Sequence, residues 1–161
     1  MKGSAFISRL WTGAPDDPMQ DRLVLVAASS PWQEALVANL KDAGVSPRSA
    51  ISLDEALQAL EFHHPDFFIL TEQFACHDDL PDPLLEYVRN LTSRERRELF
   101  VIFISRNVKT ADHLTAFSQS VNLVLHPDAI QDLIPLTTQS WNFWKNLYQA
   151  FIESHIQLTG Q

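Results

Sequence analysis

Short apolar runs alternate along this chain with longer amphipathic stretches. Arg22 to Ala28, Asp66 to Thr71, Phe100 to Ile104 and Asn122 to His126 are dominated by Val, Leu, Ile and Phe. They have the length of strands and are apolar at successive positions, as a strand buried on both faces requires. Val45 to Ile51 is a weaker run of the same kind. Between these runs the apolar residues fall at helical spacing. Trp32 to Ala43 places Leu36, Val37 and Leu40 on one side, and the segment after Ser52 carries Ala56, Leu57 and Leu60. Leu84 to Leu91 and Thr110 to Ser120 read as further helices, the latter presenting Leu114 and Phe117, and Arg94 to Glu98 forms a charged turn.

Local punctuation supports these boundaries. Ser30 before Pro31 predicts an N-cap followed by proline at the first helical position. Gly44 predicts a helix stop. Ser52 with Glu55 has the spacing of a capping box, and Thr92 with Glu95 offers another. Pro127 ends the last strand, and the chain from about Asp128 to Leu158 reads as helix, with Pro135 in its first turn or at a kink. Strand and helix thus alternate five times, which implies a parallel sheet with helices on both faces. Three segments follow: a flexible leader over 1–20, a domain over 21–135, and an extended C-terminal helix over 136–161. In the leader, Gly3, Gly13, Pro15 and Pro18 break regular structure, while Phe6, Ile7, Leu10 and Trp11 have helical spacing. That spacing fits a tail clasping its own domain or a short recognition helix.

Composition narrows the function classes. The chain has 161 residues, 45% of them hydrophobic, enough for one domain with a real core. Its net charge of −8 and pI near 5.1 oppose binding to phosphate backbones and anionic membranes. The single cysteine, Cys76, excludes an intrachain disulfide and fits a reducing compartment. No run approaches the roughly 20 apolar residues of a membrane span, and no secretory signal is expected. These readings point to a cytoplasmic protein.

Few residue groupings suggest chemistry. Cys76-His77-Asp78-Asp79 lacks the spacing of a closed metal site and reads as a solvated acidic loop. His63-His64 sit at a helix end, where the dipole favours them. No glycine-rich phosphate loop is present. No cofactor and no metal is expected.

With its elements in this order, the chain resembles the receiver domains of bacterial response regulators over about Arg22 to Ile134. Pro65-Asp66-Phe67-Phe68-Ile69-Leu70-Thr71 is similar to the receiver run that ends on the phosphoacceptor aspartate. Arg22 to Val26 matches the first strand, Phe100 to Ser105 the fourth, and Leu125-His126-Pro127 the lysine-proline corner. The resemblance implies a three-layer, doubly wound, five-stranded parallel sheet of order 2-1-3-4-5, and a site at the carboxyl ends of the strands. Carried over, the phosphoacceptor position holds Thr71. The acidic pair that binds Mg²⁺ becomes Ala27-Ala28, or Ala28-Ser29 one residue on. The lysine becomes His126, and Ser105 alone keeps the expected type. Aspartyl phosphorylation needs a carboxylate nucleophile and a cation held by oxygen ligands, and alanine supplies none. The reading is a pseudo-receiver, not an enzyme, that acts by binding protein in signalling or in regulation of motility, polarity or development. The alternative is a regulator gated by phosphorylation or by a small anion at a rearranged pocket of Thr71 or Glu72, Ser105 and His126.

The long C-terminal helix carries the binding expectation. Ile134, Thr137, Trp141, Trp144, Tyr148, Phe151, His155 and Leu158 repeat at steps of three and four, as in a coiled-coil seam, with Leu136, Phe143 and Leu147 beside it. Trp141, Trp144, Tyr148, Phe151 and Ile152 are the expected contacts with a protein partner or a second copy, together with the face around the fourth and fifth strands. Folding of the helix back over its own domain is the competing reading.

Overall fold

The computed structural model describes residues 9–13, 15–74 and 82–159, without the side chains of residues 9 and 152–159. Strands β1 (Val24–Ala27), β2 (Arg48–Ser49), β3 (Phe67–Thr71), β4 (Phe100–Ile104) and β5 (Leu123–Leu125) alternate with six helices. These are α1 (Trp32–Asp42), α2 (Leu53–Phe62), α3 (Pro83–Arg89), α4 (Ser93–Arg97), α5 (His113–Gln119) and α6 (Leu133–Thr159). All four strand pairings are parallel, in the order β2-β1-β3-β4-β5. This is the expected five-stranded doubly wound sheet.

Strand alternation splits the core into two layers. Val24, Val26, Phe67, Ile69, Phe100, Ile102 and Ile104 face one side, where Leu36 and Leu40 of α1 and Leu133, Trp141 and Trp144 of α6 cover them. Leu25, Ala27, Phe68, Leu70, Val101 and Phe103 face the other, under Ala56 and Leu60 of α2, Leu84 and Val88 of α3 and Ala116 of α5. With both faces covered, the strands need no polar alternation, which is why their sequences are continuous apolar runs.

Caps set most helix starts. Ser52 Oγ accepts from the Glu55 amide at 3.1 Å, and Thr92 with Glu95 forms a reciprocal capping box. Asp82 and Asp112 each accept two amides, at the starts of α3 and α5. The Asp112 cap, with Ala111 at φ 61°, starts α5 later than the Thr110 expected from spacing. Ser30 does not cap α1. Its hydroxyl donates to Glu34 Oε1 at 3.3 Å, and Pro31 occupies the cap position without a side-chain bond.

Over its described part the leader packs on the domain. Leu10, Trp11 and Met19 are buried in the α1–α6 layer, so residues 10–13 and 15–20 belong to the domain rather than to a flexible tail. Trp11 Nε1 donates to the Arg97 carbonyl at 2.5 Å, Trp141 Nε1 donates to the Leu10 carbonyl at 3.0 Å, and Lys145 Nζ donates to the Gly13 carbonyl. This is the clasping reading of that spacing. Phe6 and Ile7 lie outside the described residues, as does the Cys76 to Asp79 loop. No helix among the described residues is long and apolar enough to cross a membrane.

Candidate functional site

The strands end together on one edge, and the chain leaving each strand decides what that edge carries. β3 places Thr71 there, fully buried, and the register sets Thr71 beside Ile104 of β4. β1 ends at Ala27, paired with Leu70, and continues through buried Ala28 to Ser29. The Ser29 amide donates to Thr71 Oγ1 at 3.0 Å, and the two hydroxyl oxygens stand 3.4 Å apart. Thr71 therefore uses its oxygen to tie the β1–α1 turn to the end of β3. A hydroxyl fixed this way closes the backbone accounting of the turn. Among the described residues no carboxylate is hydrogen-bonded to it to act as its base.

Ser105 follows β4. Its amide donates to the Leu125 carbonyl at 3.0 Å, and its hydroxyl accepts from the Asn107 amide at 3.0 Å. That hydroxyl organises the β4–α5 turn. His126 follows β5, where its amide donates to Thr110 Oγ1 at 2.9 Å. Its ring nitrogen Nδ1 accepts from the Asp128 amide at 3.1 Å, so the imidazole caps the 3-10 helix Pro127–Asp132. The same nitrogen lies 3.4 Å from Asp128 Oδ2, a pairing that requires a protonated ring. As an amide acceptor, Nδ1 carries no proton, and the neutral cap is the arrangement the geometry favours. A lysine at this position would have no such cap to make.

Glu72 is the carboxylate next to the β3 end. Its Oε2 accepts from the Arg106 amide at 2.5 Å, and its Oε1 lies 3.5 Å from Asn107 Nδ2. The side chain is thus engaged by the β4–α5 turn. Arg106 in turn lays its guanidinium over the Trp32 ring, 4.9 Å from the centroid. Trp32 opens α1 after β1, and β1 and β4 flank β3 in the sheet. The Arg106–Trp32 contact therefore passes over the end of β3 and brings a positive charge to the edge. Neither residue had a sequence signal beyond its place in the turn after a strand.

Mg²⁺ requires several oxygen ligands in near-octahedral array. The methyl groups of Ala27 and Ala28 provide none, and both Glu72 oxygens are already directed at the β4–α5 turn. Among the described residues, those at this edge do not fit the ion. Among the described residues no group of three His, Cys, Asp or Glu side chains is arranged to hold a metal. A cavity of about 710 Å³, lined in part by Glu61, Asp66, Tyr87 and Glu95, opens at the other end of the sheet.

The residues expected at an interface on α6 lie in different surroundings. Trp141 is fully buried, and Trp144 is 8% exposed. Their indole N–H groups donate into the domain, Trp144 Nε1 to the Asn122 carbonyl at 2.8 Å. Tyr148 is half-buried with its ring edge against Trp11, at 5.1 Å between centroids. The tryptophan seam thus faces the molecule's own sheet, where it fills the layer left open by α1. Phe151, another of the expected contacts, is exposed, and with Phe143 and Leu147 it forms the outward stripe. The side chain of Ile152 lies outside the described residues.

No family model matches the chain, and no curated protein does. Among solved structures the chain is similar to response-regulator receivers. A putative response regulator from Chloroflexus aurantiacus J-10-fl superposes with TM-score 0.58 at 22% identity, over 75% of this chain and 98% of that one. The receiver domain of Francisella response regulator 1452 gives 0.55 at 18% identity, over 76% and 98%. An orphan response regulator of H. pylori gives 0.56 at 14%, over 75% and 97%. At these identities the likeness establishes the receiver fold.

Proposed function

We propose that this chain is a receiver-fold binding module that operates without phosphotransfer. It would serve bacterial signalling or regulation as a cytoplasmic protein, binding a protein partner or its own copy, with no role for nucleic acid, membrane or cofactor. The observation that carries the reading is Thr71. At the position where the resemblance places the phosphoacceptor, its buried hydroxyl accepts the Ser29 amide, and alanines stand where magnesium ligands would be needed. The turn after β4 follows the strand that pairs with β3 beside Thr71. Here that turn is held by Glu72, by the Ser105 hydroxyl and by the Arg106–Trp32 contact, which supports a constitutively set module.

Binding is assigned to the α5–α6 face. Leu114 and Phe117 of α5 and Phe143 and Leu147 of α6 are exposed there, and exposed apolar surface gathered in one place marks association sites. The competing reading, phosphorylation or gating by a small anion at a rearranged pocket, draws its support from the Arg106 charge that the contact with Trp32 brings to this edge.

Intact-mass measurement after incubation with Mg²⁺ and acetyl phosphate separates the two. The proposal expects an unmodified chain. A phosphoryl adduct removed by Thr71→Val or Glu72→Gln would overturn it.

A further inference from the structure

We infer that the cavity at the amino-terminal end of the sheet binds an aliphatic polyamine. It lies at the opposite end of the strands from Thr71, and among the described residues neither α5 nor α6 lines it. The inference therefore goes beyond the reading above. The cavity volume of about 710 Å³ falls within the roughly 300–1,000 Å³ typical of small-molecule sites. Leu10, Leu60, Leu91 and Leu99 give it apolar walls, and Tyr87 of α3 adds an aromatic ring.

The charge around this space is one-sided. Its carboxylates come from separate elements: Glu61 from α2, Asp66 from the turn into β3, Glu95 from α4 and Glu98 from the turn into β4. Among the described residues His64 is the basic side chain on the lining. None of these carboxylates forms an ion pair with lysine or arginine among the described residues, where the ion pairs are Arg89–Glu86 and His126–Asp128. Backbone groups fix two of them in place. Asp66 Oδ2 accepts from the Leu23 amide at 3.2 Å, and Glu95 Oε1 from the Thr92 amide at 3.1 Å. The charges also reach Tyr87. Burial raises the pKa of its hydroxyl, and Glu61 and Glu95 raise it further. Carboxylates without cations around an apolar space favour a cation that brings hydrocarbon with it.

The arrangement also selects the kind of cation. A metal ion needs oxygen ligands converging on one point, and among the described residues no three His, Cys, Asp or Glu side chains do so. An anion is repelled. A neutral apolar ligand would strip water from the carboxylates without pairing them. A methylene chain with ammonium groups at intervals matches both features of the cavity. Its charges reach carboxylates on different walls, its methylenes lie on the leucines, and the Tyr87 ring attracts an ammonium group. An amine with one charge pairs with one wall only.

Spermidine titration of the full chain, at a fixed ionic strength of about 0.15 M and followed through backbone amide shifts, tests this. Saturable shifts are expected at Glu61, His64, Asp66, Tyr87 and Leu99, and none at Thr71 or Arg106. Glu61→Gln with Glu98→Gln, both at exposed positions, is expected to weaken binding about tenfold. Glu34→Gln with Asp54→Asn removes the same charge from the first turns of α1 and α2. That control is expected to change the affinity by less than about twofold. n-Butylamine, with a single ammonium group, is expected to bind about tenfold more weakly than spermidine. The inference is overturned by an absence of saturable shifts across the millimolar range, or by the same shifts appearing with Mg²⁺. Equal affinity for n-butylamine, or no greater loss from the cavity variant than from the control, also overturns it.

Discussion

Trp11 lies stacked on Trp141, their ring centroids 6.0 Å apart at an interplanar angle of 23°. The pair joins the N-terminal segment to the middle of α6, and both indoles give their N–H to backbone carbonyls, Trp141 to Leu10 across this seam and Trp11 to Arg97 at the end of α4. Trp11 also tilts against Phe100 of β4 at 5.9 Å. The segment before β1 is therefore part of the core on the α1–α6 side. Trp11→Ala is expected to cost about 3–5 kcal/mol, the range for removing a buried large aromatic. Urea denaturation followed by circular dichroism measures it. A loss under 1 kcal/mol would mean that the clasp contributes little in solution.

Arg96 supplies a second structural test. Its guanidinium donates to the Ser120 carbonyl at 2.9 Å, the Leu99 carbonyl at 2.7 Å and Asn122 Oδ1 at 2.8 Å. Burial pushes its pKa down to about 10, which leaves it charged at neutral pH. Among the described residues no carboxylate accepts from it. Three neutral oxygens at the starts of β4 and β5 hold the cation instead, and Asn122 Oδ1 also accepts the Val101 amide at 2.8 Å. Arg96→Met leaves these oxygens without their donor and is expected to cost about 3 kcal/mol. Arg96→Lys restores the charge but not the planar fork, so it is expected to recover only part of that loss in the same denaturation assay.

Two aspartate caps respond oppositely to acid. Asp112, hydrogen-bonded by Thr115 and Leu114, titrates below the ordinary carboxylate value. Its stabilisation is present above that ordinary value and is lost as pH falls through the depressed one. Asp82 is raised, because desolvation outweighs the bonds from Leu84 and Leu85. Its ionised form carries a cost in the folded state, and that cost fades as pH falls through the raised value. Relative to Asp112→Asn, the wild type should lose stability on acidification. Relative to Asp82→Asn it should gain. Stability curves of the three proteins over the acidic range check both signs, and parallel curves would contradict the assignment.

Much of the fold was legible because both sheet faces are covered. β3 and β4 are continuous apolar runs, and their ends fell where Asp66, Thr71 and Ser105 interrupt the pattern. The capping boxes at Ser52 and Thr92 were equally visible. The rotation of α6 was not. It carries two apolar stripes, Trp141–Trp144–Tyr148 and Phe143–Leu147–Phe151, and apolarity alone does not say which faces inward. The indole N–H groups of the first stripe decide it by reaching carbonyls of Leu10 and Asn122 that are distant in sequence. The edge residues divide similarly. That Ala27, Ala28 and Thr71 carry no carboxylate could be read directly. The capping role of His126 and the Arg106–Trp32 bridge depend on turns whose conformation no short pattern encodes.

A restored carboxylate alone should not restore the chemistry. Thr71→Asp supplies the nucleophile's side chain, but the magnesium ligands are still absent at Ala27 and Ala28. The variant is expected to remain unmodified by acetyl phosphate, and it should be less stable because the Ser29 amide faces an altered acceptor. Intact mass reads the first expectation and urea denaturation the second. Modification of Thr71→Asp would mean that other groups at this edge hold the cation.

Magnesium titration of the wild-type chain, followed through the backbone amide shifts of Ala28, Ser29, Thr71, Glu72 and Arg106, probes the central claim most directly. The account predicts no saturable shift at these amides across the millimolar range, since Glu72 stays with the Arg106 amide and the alanines offer no oxygen. Saturable, localised shifts that Glu72→Gln abolishes would contradict it.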